Sequence, residues 1–134
     1  DPEAVEVIDK DLVAFLKARQ TGAGTRVHSS LLPQETAYPA VAVTRISGSV
    51  DRGLGGEVIL GRGTWRIDVY GRDFESMFGV SDEIRDALDG FRGLMGTTSI
   101  KACQLQSFSD FSEEDGERKL RHLVHDFSIV HSED

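Results

Sequence analysis

The chain has 134 residues, with 15 Lys and Arg against 23 Asp and Glu, a formal net charge of −8 and a pI of about 4.9. That balance argues against general binding of nucleic-acid phosphates or of an anionic membrane surface, both of which need clustered Lys and Arg. Its one cysteine, Cys103, excludes an internal disulfide framework and any cysteine-only metal site, and suggests a reducing compartment.

Taken in order, Pro2 to Arg19 predicts a helix. Val5, Ile8, Leu12, Phe15 and Leu16 fall on one face. Glu3 and Glu6 near the start and Lys17 and Arg19 near the end match the helix dipole. This acidic, periodic start does not read as a secretory leader. The run Thr21-Gly22-Ala23-Gly24 is a stop signal. Arg26 to Ser30 suggests a short strand, and Leu31 to Tyr38, with Pro33, an irregular segment. Tyr38-Pro39 then opens a strand over Ala40 to Ser47, since proline suits the first position of a strand.

Gly48 to Gly63 is the least regular stretch and holds six of the chain's 14 glycines. It predicts a long hairpin arm, mobile in isolation because ordering glycine is entropically costly. Val58-Ile59-Leu60 could continue a strand there. From Arg45 to Arg72 five basic residues (Arg45, Arg52, Arg62, Arg66, Arg72) face three acids (Asp51, Glu57, Asp68), a local net charge of +2 within an acidic chain. A local reversal of sign points to a contact surface; ordinary surface variation is the plainer alternative.

Thr64 to Phe91 is the centre of the expected fold. Trp65, Ile67 and Val69 alternate with Arg66, Asp68 and Tyr70, as in a half-buried strand. A polar turn, Gly71-Arg72-Asp73, follows, with Asp73 placed to cap a helix. Phe74, Met77, Phe78, Ile84, Leu88 and Phe91 then recur at helical spacing. Gly90 to Gly96 is expected to be a linker, Thr98 to Phe108 a strand, Asp110 to Glu117 an acidic turn, and Lys119 to His131 a long final strand. The order implies an α+β fold with two helices packed on a mostly antiparallel sheet, in one domain over residues 1–134 whose glycine-rich hairpin arm covers about 48–63. Trp65, Ile67, Val69, Phe74, Phe78, Ile84 and Leu88 are the expected core anchors. No apolar run approaches the ~20 residues needed to span a bilayer.

No constellation carries catalytic chemistry. His122 and His125 are spaced for metal chelation on a helix, but in a strand they point to opposite faces. His125 and His131 share a face but lie ~20 Å apart. Placing Gly116 at the sixth position of a calcium loop puts Phe111 and His122 where oxygen donors belong. Gly22-Ala23-Gly24 and Gly53-Leu54-Gly55-Gly56 lack the strand, the helix and the Lys-Ser/Thr of a phosphate loop. Cys103 reads as a small core residue, and Asp82, Glu83, Asp86 and Asp89 as a solvated helix face. No catalytic residue, cofactor or metal is expected.

The order and spacing of several local patterns resemble the tail-terminator, or tail-completion, proteins of long-tailed bacteriophages, also known as head–tail joining or minor tail proteins. The matching features are the first helix with its polar Gly turn, the entry Tyr38-Pro39-Ala40-Val41-Ala42-Val43, and the strand Trp65 to Tyr70 with Gly71-Arg72. The helix ending Ile84-Arg85-Asp86-Ala87-Leu88 and the closing strand Arg121 to Val130 complete the set. The resemblance covers nearly the whole chain and implies a virion protein made in the host cytoplasm. It implies a hexameric ring that caps the tail tube, stops its polymerisation and joins the tail to a head connector or stopper protein. DNA would pass through the channel without specific binding. Arg45, Asp51, Arg52, Leu54, Glu57 and Arg62 are the expected interface residues. Arg52 or Arg62 would meet carboxylates of the next subunit, and Asp51 and Glu57 would be candidates for an acidic lumen. The alternatives are another neck or tail-tube component, or a small ligand-binding or enzymatic domain with a pocket around Trp65, Tyr70, Cys103 or His125.

Overall fold

The computed structural model describes residues 2–19, 26–29, 38–56, 58–111, 113–115 and 118–133, and their side chains apart from those of 2–7, 29, 58, 74, 113–115, 118–121 and 133. The elements run α1 (Pro2–Ala18), β1 (Val27–Ser29), β2 (Ala40–Arg52), β3 (Val58–Gly71), α2 (Phe74–Leu88), β4 (Gly93–Met95), β5 (Thr98–Asp110), β6 (Glu113–Asp115) and β7 (Arg118–Glu133). One sheet has the order β1-β2-β3-β7-β5-β4, and β6 pairs with β7 beside it. β1 runs parallel to β2, and the other pairings are antiparallel. The architecture is α+β with a mixed sheet.

Strand alternation decides what the helices cover. On β3 Trp65, Ile67 and Val69 are buried, and their cross-strand partners on β7 are Phe127, His125 and Leu123. Val41 and Val43 of β2 and Cys103 of β5 extend that face. Against it α1 buries Ile8, Leu12 and Leu16, and α2 buries Met77, Val80, Ile84 and Leu88. Phe78 packs half-buried at the margin, and Phe91 meets Phe15 in a tilted contact, with 4.9 Å between ring centroids. Each fully buried aliphatic or aromatic side chain contributes about 1.5–3 kcal/mol, so this two-layer core is the main stabilising term.

Several expectations are corrected. Residues 48–52 and 58–63 are not irregular. β2 and β3 stay paired from Gly48↔Gly63 out to Arg52↔Val58, with shifts at Arg45/Ser47 and Asp51/Arg52. The 90–96 linker contains β4, the three residues Gly93–Met95, with Gly93 and the following Gly96 both at positive φ. The acidic turn contains β6, paired from Glu113↔Leu120 to Asp115↔Arg118. Asp73 sits at the N-cap of α2 but makes no side-chain cap; its carbonyl accepts from Ser76 Oγ at 3.2 Å and from the Met77 amide at 3.1 Å instead. The 21–24 stop signal, Leu31 to Ala37, the side chains of Val5 and Phe74, and Glu57 lie outside the described residues. No described helix is long and apolar enough to cross a membrane.

Two contacts tie distant parts together. The Asp11 carboxylate of α1 accepts from the Thr98 hydroxyl at 2.6 Å and from the Thr97 amide at 3.3 Å, which pins the β4–β5 turn. After α2, the Gly90 amide donates to Cys103 O at 2.7 Å, and Asp89 Oδ1 accepts from the Leu105 amide at 3.0 Å. Asp89 and Gly90 thereby occupy part of the outer edge of β5.

Candidate assembly surface

The end of the β2–β3 hairpin is exposed at Asp51, Arg52, Leu54, Gly55, Gly56 and Ile59. The β3–β7 ladder stops at Gly61↔His131, so Asp51, Arg52, the turn and Val58 to Leu60 project past it. Leu54 at the tip is 111 % exposed, and Ile46 and Ile59 are about half exposed. Leu54 and Ile59 lie at the hairpin end, whereas Ile46 stands at its root, between the Arg45↔Trp65 and Ser47↔Thr64 pairs; isolated apolar residues on a surface are ordinary, and two exposed at one projecting end mark it as a contact candidate.

Local hydrogen bonds cross the hairpin. Arg62 Nε donates to Asp51 Oδ2 at 2.9 Å across the strands. Arg52 Nη1 donates to Gly56 O at 2.9 Å, and the Gly56 amide to Gly53 O at 3.0 Å. Gly56 has φ 86, a conformation L side chains rarely adopt. Thus Arg52 and Arg62, expected to reach a neighbour's carboxylates, are engaged within their own hairpin.

Two of its glycines, Gly61 and Gly63, serve packing. A Cβ on Gly61 would lie 2.5 Å from the His131 imidazole, and one on Gly63 would lie 2.5 Å from Ser47 O and 2.8 Å from the Trp65 ring. The two rings lie over bare backbone and meet edge to face at 5.8 Å. The indole Nε1 of Trp65 donates to Asp9 Oδ1 of α1 at 2.6 Å, and Arg45 pairs with the same carboxylate at 3.5 Å. α1, the root of the hairpin and the end of β7 therefore form one unit. Burial pushes the His131 pKa down, partly offset by the Asp9 charge.

The opposite sheet face carries matched cross-strand pairs. Arg66 makes a two-pronged contact to Asp126, at 2.9 and 3.1 Å, and Ser107 donates to the same carboxylate at 3.2 Å. The hydrogen bond from Arg66 leads in holding the Asp126 carboxyl below its usual range. His122 Nε2 lies 2.7 Å from Asp68 Oδ1, and its ring stacks on Tyr70 at 4.2 Å. Burial leads in raising the Tyr70 pKa, reinforced by Asp68.

His125 faces the other way, into the core, where it and Ser81 of α2 are both 0 % exposed. Its Nδ1 lies 3.0 Å from the Ile67 carbonyl, which can only accept, so the proton sits on Nδ1. Nε2 then accepts from the Ser81 hydroxyl at 2.6 Å. This serine–histidine pair is sealed between helix and sheet, and burial leads in depressing the His125 pKa. Ser81 escaped the sequence reading because a serine in an apolar stripe looks like surface. Burial raises the Cys103 thiol to about 12, with the Asp89 charge adding to it, so the thiol stays protonated. Among the described residues no group of three or more His, Cys, Asp or Glu could hold a metal ion. Asp82, Glu83, Asp86 and Asp89 are exposed, with Asp82 paired to Arg85.

The structure therefore brings Arg45, Asp51, Arg52, Leu54 and Arg62 together on one hairpin, with Ile46 and Ile59 as further exposed members that charge counting missed. Trp65, Cys103 and His125 are packed in the core, while Tyr70 lies on the other sheet face.

A family model described as "Tail completion protein gp17" matches residues 10–132. No curated protein matches the sequence. Among solved structures, a chain of one described as "Virion of native gene transfer agent (GTA) particle" superposes with a TM-score of 0.59 at 14 % identity, over 90 % of this chain and 95 % of that one. At that identity the likeness is one of fold.

Proposed function

The chain belongs to the tail completion protein gp17 family, whose members are phage tail structural proteins, and on that premise we propose that it acts as a ring at the head-proximal end of the tail tube. The ring occupies the growing face of the tube with a surface the next tube subunit cannot use. Its far side meets the head connector or stopper protein, and DNA passes through its channel. The family match over residues 10–132 is the observation that carries this reading. The fold shared with a chain of a gene transfer agent virion, over nearly the full length of both, supports it.

Three features of the chain suit the role. A ring needs two different patches on each subunit, because head-to-tail contacts close a ring. The hairpin end, tipped by exposed Leu54, supplies one patch. The net charge of −8 favours a channel to which phosphates do not adhere. The role asks for no catalysis: it is filled by a rigid block, and the reactive side chains Cys103, Ser81 and His125 serve here as core.

The test is tail length and head attachment in particles assembled without this protein. Overlong tubes and unattached heads, both corrected by adding the purified chain, are expected. Tubes of normal length already joined to heads would refute the proposal.

A further inference from the structure

The two outer edges of the sheet are covered unevenly. On one side β1 pairs only with Val41, Ala42 and Val43, so Ser47 to Asp51 of β2 has no strand neighbour on its outer edge among the described residues. This stretch is bounded by the two register shifts of β2. On the other side β4 covers Thr98 to Ile100 of β5, and Asp89 and Gly90 take up Cys103 and Leu105. Beyond them Gln106 to Ser109 again has no outer strand neighbour among the described residues. Chains protect sheet edges by covering them, as β1, β4 and the end of α2 do here. The two stretches without an outer neighbour among the described residues are of similar length and lie on opposite edges.

Their directions and heights fit each other. Three antiparallel pairings separate β2 from β5, so the two strands run antiparallel. In a ring of like-oriented subunits, β2 of one copy would meet β5 of the next in that same sense. Gly48 and Phe108 both turn their backbone outward, in phase with Val41, whose amide donates to Arg26 O, and with Cys103 and Leu105, which bond to Gly90 and Asp89. Gly48 stands level with Gly63 on β3 and Ile129 on β7, whereas Phe108 stands level with His125 on β7. The offset from Ile129 to His125 is about 13 Å along the strands, and four strands span about 19 Å across. Bringing the two edges to one height tilts the strands by roughly 35° to the ring axis, within the range in which sheets close on themselves. Exposed apolar side chains adjoin both edges: Ile46 next to the first, Phe108 within the second and Phe111 just beyond it.

We infer that the Ser47–Asp51 edge of β2 pairs antiparallel with the Gln106–Ser109 edge of β5 in a second copy of this chain, so that ring neighbours share one continuous sheet. The inference rests on the ring reading above and adds which backbone makes the contact. Backbone hydrogen bonds supply the affinity, as in other strand additions, and the flanking apolar residues set the register.

The test is thiol cross-linking with a short bis-maleimide on assembled tails carrying two kinds of subunit, Ser47→Cys and Ser109→Cys. These positions oppose each other, on one sheet face, when Gly48 faces Phe108. Ser47 is exposed and the change replaces one atom, so the variant has room to fold. Native Cys103 is buried and stays unreacted. The expected result is a band of twice the chain's mass in the mixed particles, absent when either variant is used alone. The pairing of Ser47→Cys with Leu94→Cys, an exposed position on β4, should give none. A ring of the right mass whose 47–109 band is missing overturns the strand pairing and leaves the ring reading standing. If native mass measurement of the same tails finds no ring, both fall.

Discussion

Removing the Ser81 hydroxyl tests how α2 is locked to the sheet. In Ser81→Ala, His125 keeps its Nδ1–H bond to the Ile67 carbonyl but loses the only donor the structure places at Nε2 among the described residues. Both residues are 0 % exposed, so no solvent stands in for the lost hydroxyl. A buried acceptor left without a partner costs about 1–3 kcal/mol, while a methyl in place of the hydroxyl leaves the packing nearly intact. For a chain of 134 residues the entropy of unfolding makes each kcal/mol worth about 3–4 °C, so Tm should fall by ~4–10 °C. Urea unfolding should show a lower midpoint with an unchanged slope, since the surface exposed is the same. Nitrogen NMR of the imidazole supplies an independent check: native His125 should carry its proton on Nδ1. A loss of stability under ~0.5 kcal/mol, within the range of ordinary surface changes, or a proton on Nε2, would refute the reasoning.

Other predictions follow from single contacts. Gly61→Ala should lose about 1–3 kcal/mol through overpacking, because its Cβ would meet His131 at 2.5 Å. Gly79→Ala, inside α2 with nothing within 4 Å, should gain about 0.5–1 kcal/mol; chemical denaturation of the pair reads both signs. Leu54→Asp should leave Tm within about 1 °C, since the side chain is fully exposed, but should reduce the fraction of capped tails if the tip contacts a partner. The folded-state pKa values of His125 and His131 are both lowered by burial. The unfolded chain therefore binds more protons between those values and the free histidine value of about 6.5. Stability should be flat above that point and decline as pH falls below it, well before the carboxylates titrate; a pH series of unfolding midpoints checks this. Replacing both histidines with apolar residues, where folding survives, should remove the slope.

The strand–helix centre was legible because its signals are local. Trp65, Ile67 and Val69 alternate with polar residues at a period of two, and Met77, Ile84 and Leu88 recur at helical spacing, so the face each presents follows from position alone. The hairpin's regularity was not legible. Six glycines in 48–63 read as loose chain, and the reason for Gly61, the His131 ring, comes 70 residues later. β4 was hidden in a glycine-bounded linker because three residues show no alternation. Nothing local links Ser81 to His125, 44 residues later; only the fold places them against each other. The charge of the hairpin was visible but its use was not, since Arg62 and Asp51 stand opposite one another only when the strands are zipped. Sequence periodicity reports the faces of elements; it does not report which side chains meet across them.

Electron cryo-microscopy of assembled particles measures the central claim most directly. The account predicts one closed ring of this chain, seen only where the tail tube meets the head, with β2 of each subunit beside β5 of the next. Copies found along the tube or at its distal tip, or no ring at the junction, would contradict it.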